Sequence, residues 1–115
     1  MHKLQKFLLY IQSKTPHLKI VFYNLFDNDG YQNYILFKPT SSNMCYGKNE
    51  TYIVFVYFDY TDDVLMLQHY NDLLQVINPD RQLLEYDSEE FLIEELSGLN
   101  FDKGKIYFNL KLKFK

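Results

Sequence analysis

The sequence predicts an α+β domain spanning residues 1–115: a mainly antiparallel sheet of four or five strands with helices packed on one face, in the order α-β-β-β-α-α-β. Three observations lead there. Residues 51–60 (TYIVFVYFDY) are apolar on both alternating faces, the pattern of a central strand covered on two sides. Residues 18–26 and 31–38 read as strands around the turn-forming Asp27-Asn28-Asp29-Gly30. Helical periods recur before and after this strand-rich first half. At 115 residues the chain has the length of one domain with one core.

Residues 3–14 place Leu4, Phe7, Leu8 and Ile11 on one helical stripe and Lys3, Lys6 and Lys14 elsewhere, with Pro16 ending the helix. Three lysines over three turns suit a core-packing helix better than a membrane-surface one. The strand–turn–strand unit 18–38 reads as a hairpin. Asp27-Asn28-Asp29 opens like a calcium loop, but Lys38 stands where an EF-hand needs its final glutamate. Residues 39–50 (PTSSNMCYGKNE) read as a long polar surface loop and a second candidate surface.

A helix is expected from about Asp62 to Asn78, stopped by Pro79, although residues 62–69 also fit a strand. A second acidic helix is expected over Asp87–Leu96, with Asp87 as N-cap, Glu90 completing an Asp variant of the capping box, and Gly98 as a left-handed C-cap. Residues 104–115 alternate Ile106, Phe108, Leu110, Leu112 and Phe114 with polar and basic residues, a closing strand with one buried face.

Catalytic signatures are sparse. His69 and Asp72, three apart on the expected helix, are the one local pair with ligand-like spacing, and Cys45 is a lone thiol in the polar loop. An unrecognised site around His69/Asp72 or Cys45 is kept as one alternative, but no cofactor, metal site or catalytic set is expected. Ile20–Leu25 (IVFYNL) resembles the first stacking motif of the RNA-recognition fold and Lys103–Phe108 (KGKIYF) the second. That fold needs a helix straight after its first strand, and direct nucleic-acid binding is not expected. The single cysteine fits a reducing compartment, and Phe7–Ile11 is too short an apolar run for a signal peptide or membrane span, so a cytoplasmic protein without membrane contact is expected.

Charge is distributed unevenly. Twelve acids and one cation between Asp59 and Asp102 sum to −11, whereas the rest sums to +8. Small size, an acidic middle and no catalytic set together point to a protein-binding module: an inhibitor, immunity or phage counter-defence type protein that blocks a basic partner protein, nucleic-acid-binding proteins being one class of such partners. The residues expected to meet it are Asp62, Asp63, Asp72, Glu89, Glu90, Glu94 and Glu95. A structural or assembly adaptor, including a homodimer, is the other alternative.

Overall fold

The computed structural model describes residues 3–22, 33–44, 50–78 and 83–115, with backbone alone for 40–44 and 50. In chain order the elements are α1 (Lys3–Lys14), β1 (Ile20–Phe22), β2 (Tyr34–Met44), β3 (Glu50–Asp59), α2 (Asp63–Val76), β4 (Leu84–Tyr86), β5 (Glu89–Asp102) and β6 (Lys105–Phe114). The strands form one six-stranded sheet in the order β1-β2-β3-β6-β5-β4. The fold is therefore mixed α+β, with six strands rather than four or five and one helix fewer than expected.

The strand over 51–60 is interior, as its composition predicts. β3 is hydrogen-bonded to β2 on one side and β6 on the other, antiparallel to both. Val54, Val56 and Phe58 are buried beneath the helices together with Ile106, Phe108, Leu110 and Leu112 of β6. The expectation of two covered faces is corrected. Ile53, Phe55 and Tyr57 are half-buried on the opposite face, where Phe55, Tyr57 and Tyr107 pack ring to ring at 6.0–6.4 Å. Neighbouring aromatics on the same sheet face shield one another this way without a helix above them.

α1 matches its expected bounds and buries Leu4, Phe7 and Ile11. Gln12 Nε2 donates to the carbonyls of Thr15 (3.0 Å) and Leu18 (2.8 Å), tying down the chain where Pro16 ends the helix. Phe7 touches both Phe37 of β2 (6.3 Å) and Phe91 of β5 (5.4 Å). Those strands lie three positions apart, roughly 14 Å in a flat sheet. One ring reaching both shows the sheet curling around α1.

α2 begins where the helical period predicts. Asp62 is the N-cap and its Oδ1 accepts from the amides of Val64 (2.9 Å) and Leu65 (3.2 Å). Tyr70 on this helix packs against Phe58 and Phe108 of the sheet. β6 likewise follows its alternation, with Ile106, Phe108, Leu110, Leu112 and Phe114 all buried.

Three expectations are overturned. β1 pairs with β2 in parallel, Ile20 opposite Ile35 through Phe22 opposite Phe37, so 18–38 is not a hairpin. A parallel pair cannot be closed by a tight turn; the expected turn at Asp27–Gly30 lies outside the described residues. The polar stretch after Lys38 is largely strand, not loop: β2 continues to Met44, opposite Glu50. Pro39 is tolerated because β1 covers only Ile35–Phe37 of β2, and the register shifts between Pro39 and Ser41.

The third correction matters most here. Asp87–Leu96 is not a helix but a turn and the first half of β5. Asp87 (φ 51°) and Ser88 (φ 67°) form a two-residue hairpin turn with Tyr86 opposite Glu89. Asp87 serves a turn that needs positive φ rather than a helix N-terminus. Gly98 does adopt a left-handed conformation (φ 71°), but at the register irregularity between Ser97 and Asn100, as a bulge in a strand.

Candidate interaction surface

The strand assignment disperses the acids that an 87–96 helix would have gathered. Glu89 lies 3.5 Å from Lys6 of α1, and Glu94 lies 3.3 Å from Lys111 of the adjacent strand. Asp72 accepts from His17 Nε2 at 2.8 Å if that nitrogen carries the proton, and Asp62 is occupied as the helix cap. Asp63, Glu90 and Glu95 are the members of the expected set that are exposed to water and, among the described residues, hold neither an ion pair nor a helix cap. Register also sets Glu95 opposite Lys111 and Asp102 opposite Lys105. Much of the −11/+8 asymmetry is thus an acidic strand folded beside a basic one, which stabilises the β5–β6 pair.

The outer side of β5 is a different matter. β4 covers only Glu89–Phe91, so among the described residues β5 from Leu92 to Asp102 has no strand on that side. Such an edge presents unpaired backbone donors and acceptors. Beside it runs a groove of about 710 Å³ between α2 and β5, with Phe108 and Leu96 in its lining, Leu99 at its β5 side and Tyr70, Asn71, Leu74, Gln75 and Asn78 from α2. Two large apolar side chains of β5 are exposed here, Leu99 in the lining at 48% and Phe101 at 60%. Phe101 meets Tyr70 edge-on at 6.0 Å, which links the strand to the helix across this surface. Exposed apolar residues clustered beside a groove mark a contact surface more than isolated ones do.

Residue-level reasoning missed Leu99 and Phe101 because it ended a helix at Gly98 and treated the following residues as a connection. The signal lay in Leu96, Leu99 and Phe101 themselves, three large apolar residues around a glycine, which read more naturally as an interrupted strand.

The pair singled out for chemistry acquires neighbours. His17 packs against His69 with ring centroids 5.4 Å apart, and Tyr60 Oη and His69 Nδ1 are joined by a hydrogen bond of 2.7 Å. Burial pushes the Tyr60 phenol up to about 12, so it stays neutral. Burial also lowers the His69 pKa; the neighbouring His17 acts in the same direction and Asp72 in the opposite one. Neither imidazole is hydrogen-bonded to a serine, threonine or cysteine among the described residues, and Cys45 lies outside them. No group of three His, Cys, Asp or Glu among those residues is placed to hold a metal ion. What the cluster does is tie the α1–β1 connection to α2 and to the end of β3.

That arrangement fixes a pH dependence. A histidine whose folded pKa lies below its unfolded value binds protons more readily when unfolded, so stability rises with pH across the interval between the two. Acidification below the ordinary histidine value of about 6.5 should therefore destabilise the protein until the lowered folded pKa is passed. Urea unfolding between neutral pH and mild acid should show this slope in the wild type and a smaller one in His69→Gln. An unchanged slope would assign the dependence to other groups.

The stacking-motif resemblance does not gather into one platform either. Residues 20–22 lie in β1 and 105–108 in β6, with β2 and β3 between them. No helix among the described residues is long and apolar enough to cross a membrane.

No family model matches the chain, and no curated protein matches it. Among the solved structures that match, one is similar over 96% of this chain and 89% of its own, at 13% identity and a TM-score of 0.49. At that level the similarity carries no functional argument.

Proposed function

We propose that this chain is a non-catalytic protein-binding module that engages a basic partner protein along the β5 side of the sheet, in the manner of an inhibitor or immunity-type protein. One observation carries the reading. β5 and α2, the two elements bordering the apolar groove, hold seven acids (Asp63, Asp72, Glu89, Glu90, Glu94, Glu95 and Asp102) and no lysine or arginine. Even with Glu89, Glu94 and Asp72 engaged internally, Asp63, Glu90 and Glu95 face water. A long-range field of this kind acts on encounter rates more than on final affinity.

The test starts with affinity capture from the native host and identification of the captured protein by mass spectrometry. Association is then followed at low and physiological salt for the wild type and for Glu90→Gln/Glu95→Gln. These two glutamates are chosen because Glu89 and Glu94 hold ion pairs whose loss would disturb the fold. The double variant should associate more slowly and with a weaker salt dependence. A captured partner that is not basic, or a variant with the wild-type rate and salt dependence, would overturn the reading.

A further inference from the structure

We infer that the partner is bound by strand addition: an extended segment alternating lysine or arginine with apolar residues pairs with the outer edge of β5 between Leu92 and Asp102. This deepens the proposed function and rests on it for the partner's charge, but the mode of binding has its own support. The edge beyond Phe91 has no strand neighbour among the described residues, although β5 continues to Asp102. An incoming strand would follow the register shifts at Ile93/Glu95 and Ser97/Asn100 and satisfy the backbone groups left on that edge, the Gly98 carbonyl already accepting from Asn100 Nδ2 at 2.6 Å, while side-chain pockets would select alternate residues on either side of the shifts. The groove supplies such a pocket, since Leu99 lines it and Phe101, two residues on, meets Tyr70 of α2. Apolar side chains of the added strand would cover these two residues, which are otherwise about half exposed or more.

Charge decides between the occupants of such an edge. A second copy adding its own β5 would bring Glu94, Glu95 and Asp102 against the same acids, and no lysine or arginine lies on that strand to relieve them. Like charges set across from one another oppose pairing. A basic strand turns the same positions into favourable cross-strand pairs. The asparagines and glutamine of α2 on the groove wall, Asn71, Gln75 and Asn78, can donate to or accept from either kind of chain and so do not discriminate.

The experiment uses the full chain and three capped peptides of about six residues, the usual length of a strand. The first alternates lysine with valine and leucine, the second replaces each lysine by glutamate, and the third keeps the lysine sequence but is N-methylated at every residue, so that neither edge can donate. The lysine peptide should bind, and amide hydrogen exchange should slow within Leu92–Asp102. The glutamate peptide should bind about tenfold more weakly or worse, the sum of several unfavourable cross-strand pairs. The N-methylated peptide should lose roughly as much, because it cannot complete the ladder. Leu99→Ser/Phe101→Ser, at exposed positions that leave the core intact, should weaken both the lysine peptide and the captured partner.

Equal binding of the N-methylated peptide, or binding without protection in β5, would overturn strand addition. So would full retention of the captured basic partner by Leu99→Ser/Phe101→Ser, and in that case the proposed function would stand without it. A captured partner that is acidic, alongside a lysine peptide that binds and protects β5, would instead remove the proposed function and leave the edge as a strand-accepting site.

Discussion

Phe58→Ala should cost about 3–5 kcal/mol, the usual penalty for removing a buried ring from a core. Phe58 is fully buried and meets Tyr60 and Tyr70 at 5.9 and 5.8 Å, so its loss would leave a cavity between β3 and α2. Against a total of about 5–15 kcal/mol for a domain, the variant should be partly unfolded at physiological temperature. Phe55, three residues earlier on the same strand, lies on the face away from both helices and is half-buried against Tyr57 and Tyr107. Its composition-based expectation as a core ring is therefore revised, and Phe55→Ala should cost well under half as much. Urea denaturation of both variants checks the order. A Phe55→Ala loss equal to that of Phe58→Ala would mean that the aromatic face is as well covered as the helix face.

The legible parts of the fold were those whose signal is local and periodic. α1 and β6 carry patterns of 3.6 and 2 that leave one reading each, and β3 is apolar enough to demand an interior place. Partner direction is not local: β1 and the start of β2 have the composition of a hairpin, yet pair in parallel. Residues 87–98 failed for a subtler reason. Aspartate favours both a helix N-cap and a positive-φ turn, and glycine favours both a helix C-cap and a strand bulge. The deciding clue was Phe91-Leu92-Ile93, whose first and third residues are buried against β6 while Leu92 lies on the other face. Of the site, the acids were legible as a charge excess. Their pairing with Lys6, His17 and Lys111, and the free edge beside Leu99 and Phe101, required the third dimension.

Of the two glycines among the described residues, Gly104→Ala should be the more damaging, and its comparison with Gly98→Ala separates two causes. Both glycines sit at φ 71°, where an added Cβ is strained in any surroundings, at a cost of about 1–2 kcal/mol. At Gly98 the new methyl would meet only Asn109 Nδ2 at 3.6 Å, an ordinary contact, so the conformational term should be nearly the whole effect. At Gly104 it would lie 2.8 Å from the Tyr60 carbonyl oxygen, closer than a Cβ can approach. The obstacle is backbone and cannot rotate aside. The Tyr60 amide donates to the Gly104 carbonyl at 3.0 Å, so the β5–β6 turn and the end of β3 are held against each other at this point. Relief would require parting them, just ahead of the Asp62 cap of α2. Gly104→Ala is therefore expected to lose about 2–4 kcal/mol, the left-handed strain plus overpacking, and at least about 1 kcal/mol more than Gly98→Ala. Hydrogen exchange should show the loss as faster opening at the start of α2 and at Tyr60. Equal stability of the two variants would mean that the turn yields without cost, and that Tyr60 is not anchored through it.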